Sequence, residues 1–266
     1  MDKNIVKNNF WLVLGWGAAR SLIQIGVWKR MNELWYKPIE IAWTSMWAII
    51  GTCIATWMDV SEVEKLACDT SIMWLLDTNL LQWLVWGKKI MSFLESTFWD
   101  ISFSDLKIPL KIVAADITSG EKVIFSSWSV LEAIRASISI PTIFSPVERD
   151  GETLVDWGII ENLPVQEIEC NEVVAVSSMF QKTQVIKKSR KILWFDIPYS
   201  FFSYNKKILQ KTILTMMLQN ENLSLNLTDK KITVIRPDMT WFWFYDFDKA
   251  QDIIDLWYEE AKNRLQ

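Results

Sequence analysis

The stretch that decides the fold reads Ile41-Ala42-Trp43-Thr44-Ser45-Met46-Trp47-Ala48-Ile49-Ile50-Gly51. It matches the nucleophile elbow pattern G-x-S-x-G, with tryptophan in place of both glycines. In such an elbow a strand turns sharply into a helix and exposes a serine hydroxyl above the end of a sheet. The apolar flanks of Ser45 favour this interpretation over an ordinary turn that contains a serine. The elbow backbone is strained and crowded, which is why it normally carries glycine.

Strands, small-residue turns and helices alternate on both sides of the elbow, which predicts an α/β fold with a mainly parallel sheet. Upstream, we expect a strand at 10–14, a turn at 15–17 and a helix at 20–34. The region 60–98 is predicted to be helical, with a loop at 84–89. The later segments predict strands at 110–116, 122–125, 171–177, 191–195 and 231–236, and helices at 129–137, 205–226 and 250–265. Neither a repeat nor a linker is visible, so we expect one domain over residues 1–266.

The composition is that of a globular protein and not of a nucleic-acid binder. Half of the 266 residues are hydrophobic, 23% are charged and the net charge is −4, whereas nucleic-acid binders carry an excess of basic residues. The cysteines at 53, 68 and 170 are far apart and indicate reduced thiols. Residues 1–10 are too polar for a signal peptide, and no charge-free run of about twenty apolar residues occurs. We therefore expect a cytoplasmic protein.

The chain contains no histidine, and this limits its chemistry. A Ser-His-Asp triad, a Cys-His dyad and a zinc site that uses histidine are all excluded. A nucleophile must instead be activated by a carboxylate, a lysine or a tyrosine. Asp156 ends the apolar run Leu154-Val155 and is the leading candidate for a general base. An isolated Asp at such a place is more commonly an Asx turn or a helix cap, and that alternative stays open.

A small-residue turn, Gly15-Trp16-Gly17-Ala18-Ala19-Arg20, precedes the first predicted helix. Backbone N–H groups at such a turn can stabilise an oxyanion or hold a phosphate, although an ordinary strand-to-helix turn is at least as common. A P-loop is excluded because the Gly-Lys-Ser/Thr ending is missing. A dinucleotide site is excluded because no acidic residue ends the next strand.

These segments, together with A-D-x-T-x-G at 115–120 and R-A-S-x-x-I-P at 135–141, resemble the bacterial patatin-like phospholipase family in order and spacing over roughly residues 10–180. The resemblance implies a three-layer α/β/α sandwich that hydrolyses lipid acyl esters without metal or cofactor. It further implies a Ser–Asp dyad, an oxyanion loop buttressed by arginine, an elbow and a D-G-G/A motif. The dyad would be Ser45 and Asp156, and the oxyanion loop would be Gly15, Trp16, Gly17, Ala18 and Arg20. The elbow positions would be Trp43 and Trp47, and the D-G-G/A motif would include Trp157 and Gly158.

Two further interpretations stay open on the sequence alone. A catalytically silent relative would bind lipid or a partner protein, and an inert Ser45 would favour it. A peptidase is less supported because nothing indicates a groove for an extended peptide. The expected partner is a lipid or another acyl ester, with peripheral membrane contact and no nucleic acid, while the oligomeric state stays open. Apolar residues between 73 and 84 are candidates for an acyl pocket or cap, or for an ordinary helical core.

The chain has 17 tryptophans and only 8 glycines, whereas average usage predicts roughly 19 glycines. The shortage of glycine is about as large as the excess of tryptophan. We hypothesise that UGA codons that specify glycine have been translated as tryptophan, because UGA encodes tryptophan in some genomes and glycine in a few bacterial lineages. UGG codons at 43, 47 and 157 would contradict this hypothesis. Glycine is expected in the native product at positions that now read Trp11, Trp16, Trp35, Trp43, Trp47, Trp57, Trp99, Trp128, Trp157 and Trp257.

If these tryptophans are retained, we expect activity to be lost. An indole where φ is positive, or where strands crowd the turn, costs about 1–3 kcal/mol per site. At Trp16 the side chain would also crowd the oxyanion loop, and losing one oxyanion donor costs roughly a hundredfold in rate.

Overall fold

The structure, a computed structural model, describes residues 10–45, 48–69, 83–140, 144–179, 189–192, 195–198, 201–243 and 246–265. Within these ranges the central sheet has eight strands: β1 (Trp11–Leu14), β2 (Ile41–Thr44), β3 (Leu110–Asp116), β4 (Glu121–Phe125), β5 (Val147–Arg149), β6 (Glu152–Asp156), β7 (Glu172–Val176) and β10 (Lys231–Ile235). Their order is β10-β7-β1-β2-β3-β6-β5, with β4 paired to β3. The first five in this order run parallel, and the β3–β4, β3–β6 and β5–β6 pairs are antiparallel.

The described helices are α1 (Ile23–Glu33), α2 (Ala48–Ala55), α3 (Val60–Asp69), α4 (Trp83–Phe98), α5 (Val130–Ser137), α6 (Phe201–Asn226) and α7 (Ala250–Arg264). Two sequence predictions were wrong. The predicted loop at 84–89 lies inside α4, because a single glycine at 87 is tolerated within a helix. The strand predicted at 191–195 is instead a separate hairpin of β8 (Ser189–Ile192) and β9 (Phe195–Pro198).

Both faces of the sheet are buried, as a parallel sheet requires. Along β1, Leu12 and Leu14 contribute to the main core, and Val13 belongs to a second cluster that includes Leu163 and Val165. The predicted α/β fold, a mainly parallel sheet with flanking helices, is confirmed. Of the described helices, none is long and apolar enough to cross a membrane.

Four tryptophans adopt a backbone conformation that favours glycine. Trp35, Trp57, Trp99 and Trp128 have φ values of 61°, 61°, 56° and 76°. The first two follow α1 and α2 in Schellman-type ends, where the N–H groups of Tyr36 and Met58 bond back to the carbonyls of Met31 and Cys53. A left-handed residue at this position is usually glycine. Trp257 differs, because it lies buried inside α7 rather than at a helix end or turn.

Replacing Trp35 or Trp99 by glycine is expected to stabilise the fold. Their side chains are 76% and 81% exposed, so relief of left-handed strain outweighs the lost contacts, by about 1 kcal/mol per site. The buried Trp28 lies inside α1, and Trp28→Gly should destabilise by about 3–5 kcal/mol. Urea unfolding of each variant measures these differences. Destabilisation by Trp35→Gly and Trp99→Gly would contradict the glycine interpretation of these sites.

Candidate active site

Ser45 and Asp156 meet because β2 and β6 both end beside the same part of β3. Thr44, the last residue of β2, pairs with Val113, and Asp156, the last residue of β6, pairs with Ala114. The residue that follows β2, Ser45, and the last residue of β6, Asp156, therefore lie at the same point of the sheet. Ser45 Oγ donates to Asp156 Oδ2 at 2.5 Å, and both residues are almost fully buried.

Ser45 has a φ of 74°, so the strain of the elbow falls on the serine itself. Its N–H donates to Ser137 Oγ at 2.8 Å, and Ser137 Oγ donates to the carbonyl of Val113 at 2.7 Å. Ser137 thus fixes the serine backbone to β3. Two residues later the Ser139 carbonyl accepts the N–H of Asp156 at 3.0 Å. The R-A-S-x-x-I-P segment therefore holds both members of the Ser45–Asp156 pair.

Burial raises the pKa of Asp156 to about 7. Hydrogen bonds oppose this shift: besides Ser45, the N–H of Gly158 donates to Oδ1 at 2.7 Å and the indole of Trp16 donates to Oδ2 at 3.3 Å. A carboxylate whose pKa lies near 7 can accept a proton and return it within one reaction, which is what a general base in acyl transfer must do.

The turn after β1 reaches this pair through the indole of Trp16, and its backbone N–H groups differ in their partners. The N–H groups of Gly15 and Trp16 donate to the carbonyls of Val176 and Asn162 at 3.0 and 2.8 Å. Those of Gly17 and Ala18 have no acceptor among the described residues. Of the four residues predicted to supply an oxyanion site, the last two therefore have free donors.

Packing favours glycine at 17. A Cβ there would lie 2.9 Å from Ser178 Cβ and would displace the hydroxyl groups of Ser178 and Ser21. The loop is further held by Gln24 Nε2, which donates to the carbonyl of Gly15 at 2.7 Å. The buried Arg20 donates through Nε to the carbonyl of Phe242 at 2.7 Å, and desolvation lowers its pKa to about 10. Arg20 thus ties the loop to the C-terminal region.

Two tryptophans of the predicted motifs, Trp43 and Trp16, pack tightly against the backbone of glycine residues. Trp43 is fully buried in β2, and a Cβ at Gly51 would lie 2.2 Å from its ring. A Cβ at Gly158 would lie 2.2 Å from the ring of Trp16. Trp157 is buried after β6, and Trp47 lies outside the described residues, as do residues 73–82 of the predicted acyl pocket or cap. We call the chain with glycine at 16, 43, 47 and 157 the four-glycine variant.

A second buried network, which sequence reasoning missed, lies behind the turn. Glu221 in α6 accepts Asn162 Nδ2 at 2.7 Å and Ser177 Oγ at 2.9 Å, and it pairs with Arg236. Asn162 is the residue whose carbonyl accepts the N–H of Trp16. The only signal in the sequence was an isolated acidic residue between 212 and 228, an otherwise uncharged stretch.

Ser137→Ala in the four-glycine variant is expected to lower kcat by about 10- to 100-fold with little change in KM. The buried N–H of Ser45 would lose its acceptor, and a misplaced nucleophile costs on the order of a hundredfold. Ser96→Ala in α4 is the control, because this exposed hydroxyl bonds only to the carbonyl of Phe93 in its own helix. Equal kcat values for the two variants in an ester hydrolysis assay would contradict the role of Ser137.

Comparisons with known proteins indicate the family of this chain. A family model described as patatin-like phospholipase matches residues 12–168. An NTE family protein of Mycobacterium tuberculosis is 33% identical over 160 residues, which are 59% of this chain and 44% of the relative. Lysophospholipase NTE1 of Saccharomyces cerevisiae is 31% identical over 176 residues, covering 62% of this chain and 10% of that protein. The chain therefore spans less than half the length of these relatives.

The fold also resembles a solved structure. VipD from Legionella pneumophila aligns with a TM-score of 0.57 at 12% identity, over 98% of this chain and 67% of that one. At this identity the likeness bears on the fold alone.

Among the described residues, no three His, Cys, Asp or Glu side chains are grouped as metal ligands would be.

Proposed function

The chain belongs to the patatin-like phospholipase family, and on that premise we propose that it hydrolyses acyl esters of lipids with Ser45 as nucleophile and Asp156 as general base. The observation that carries the proposal is the 2.5 Å contact between Ser45 Oγ and Asp156 Oδ2 in a buried site. The absence of histidine fits this pair, because a carboxylate with a pKa near 7 can itself accept the serine proton.

The reaction runs in two acyl-transfer steps. Ser45 Oγ attacks the ester carbonyl while its proton passes to Asp156, and the N–H groups of Gly17 and Ala18 stabilise the oxyanion. The alcohol then leaves with the proton from Asp156, so that an acyl-serine remains. Water, deprotonated by Asp156, attacks the acyl-serine. The fatty acid departs, and Ser45 regains its proton.

We propose that the substrate class is a lysophospholipid or another lipid with an accessible acyl ester. The support is the printed name of the yeast relative, a lysophospholipase. Such substrates reside in membranes or micelles, so the proposal includes peripheral membrane contact of a cytoplasmic protein.

A catalytically silent, lipid-binding protein is the second candidate. It is favoured by one observation: the indole of Trp16 donates to the same carboxylate oxygen as the Ser45 hydroxyl. An extra donor on this oxygen weakens the base. This candidate therefore applies to the chain with Trp16 in place.

Fatty acid release from lysophosphatidylcholine by the four-glycine variant tests the proposed function. We expect turnover that Ser45→Ala removes and that survives prolonged dialysis against a chelator. A folded four-glycine variant that hydrolyses neither this lipid nor 4-nitrophenyl butyrate would contradict the hydrolase and favour the silent relative.

The activity is expected to rise with pH. Asp156 must be ionised to accept a proton, and burial raises its pKa to about 7. Below pH 7 kcat/KM should fall about tenfold per pH unit, and above about pH 8 it should level off. Asp116 adds no inflection in this range, because hydrogen bonds from Ser119 and Thr118 hold its pKa far below the usual value. A profile that is flat between pH 5 and 8 would contradict the assignment of Asp156 as base.

A further inference from the structure

The indole of Trp16 fills a slot between the Ser45–Asp156 pair and α6. On one side its nitrogen lies 3.3 Å from Asp156 Oδ2, and its ring presses on the backbone at Gly158. On the other side the ring packs against a cluster of buried apolar side chains. That cluster consists of Met179, Leu214 and Met217, with the half-buried Leu218 beside it.

Resting on the proposed function, we propose that this slot binds the hydrocarbon chain of the acyl group when residue 16 is glycine. The slot begins beside the proposed general base, so a chain attached to a carbonyl at Ser45 has a direct route into it. The slot holds the flat indole ring of Trp16 in van der Waals contact with its walls, and an extended hydrocarbon chain is about as thick as such a ring.

The chemistry of the walls fits an alkyl chain. Met179, Leu214 and Met217 are each at most 9% exposed and carry no hydrogen-bonding side-chain group that a polar ligand would need. Methionine side chains are flexible and adapt to ligands of varied shape. Two charged residues flank the cluster on α6, Lys211 one turn before Leu214 and Glu221 one turn after Met217. Glu221 already binds Asn162, Ser177 and Arg236.

The exposed surface of α6 offers a matched comparison site. Leu209 lies on the same helix as Leu214, but it is 61% exposed whereas Leu214 is 9% exposed. If the hydrocarbon chain merely adhered to apolar surface, substitutions at both positions would weaken its binding equally. If the hydrocarbon chain is held in the slot, only substitution of Leu214 weakens its binding.

Binding of 1-alkanols to the four-glycine variant carrying Ser45→Ala tests the slot without catalysis. From hexanol to decanol we expect the affinity in titration calorimetry to rise about fourfold for each added methylene until the slot is full. The same chain with Trp16 retained should show weak affinity that does not depend on length. Leu214→Trp, which refills the slot from α6, should remove the length dependence, and Leu209→Trp should leave it unchanged.

A length-independent affinity in the four-glycine background would overturn the slot, as would equal effects of Leu214→Trp and Leu209→Trp. Failure of the proposed function gives a different result. The alkanols would then bind as expected, and the four-glycine variant with Ser45 intact would hydrolyse no ester. If the slot alone is wrong, esters are hydrolysed without any dependence of kcat/KM on acyl length.

Discussion

Ser45→Ala in the four-glycine variant is expected to lower kcat for ester hydrolysis by about 10⁴-fold or more, and Asp156→Asn by about 10³- to 10⁴-fold. The first change removes the nucleophile. The second keeps the shape of the side chain but leaves no group at Ser45 Oγ that can accept a proton. Because the two residues act as a unit, the double variant should be no slower than Ser45→Ala alone.

Two matched controls separate chemistry from folding. Ser96→Ala and Asp255→Asn make the same chemical changes in α4 and α7, away from the site, and should leave kcat at the parent value. Thermal unfolding should show that all variants stay folded. A residual activity of Ser45→Ala within tenfold of the parent would require a different nucleophile.

Glycine at the four motif positions is expected to raise kcat/KM by about a hundredfold or more over the chain with tryptophan. Trp16 donates to the oxygen of Asp156 that must take the serine proton, and its ring stands in front of Gly158. The ring of Trp43 packs tightly against Gly51 in α2, the helix that follows Ser45. The estimate corresponds to regaining one well-placed electrostatic interaction in the transition state.

Glycine at the positive-φ positions 35, 57, 99 and 128 is the control for this prediction. These sites lie at helix ends and in a turn and are exposed, so glycine there should raise the free energy of unfolding without changing kcat/KM. Steady-state kinetics on both sets of variants separates the two effects. If the four-glycine variant is no faster than the parent, crowding by Trp16 and Trp43 is not what limits the site.

The parts of the fold that follow from local pattern could be predicted from the sequence. The strands β1, β2 and β3 were recognisable as short apolar runs, and the elbow marked where β2 ends. The error at 84–89 arose because Gly87-Lys88-Lys89 has the composition of a turn. Contacts beyond the local sequence decide that α4 continues through it.

Pairings between distant segments could not be predicted from local pattern. Ser137 was visible within a motif, but its bond to the N–H of Ser45, 92 residues away, depends on how α5 packs against β3. The contact of Glu221 with Asn162 joins two segments that no local signal connects. The closeness of Ser45 and Asp156 was implied by the family resemblance, and its physical cause is the shared pairing with β3.

Labelling by a fluorophosphonate, followed by the mass of the tryptic peptide of residues 31–65, tests the central claim that Ser45 is an activated nucleophile. The reagent reacts with a serine that a neighbouring base deprotonates. We predict one adduct on this peptide of the four-glycine variant, located at Ser45 and absent in Asp156→Asn. A folded four-glycine variant that stays unlabelled, or that is labelled only at another serine, would contradict the claim.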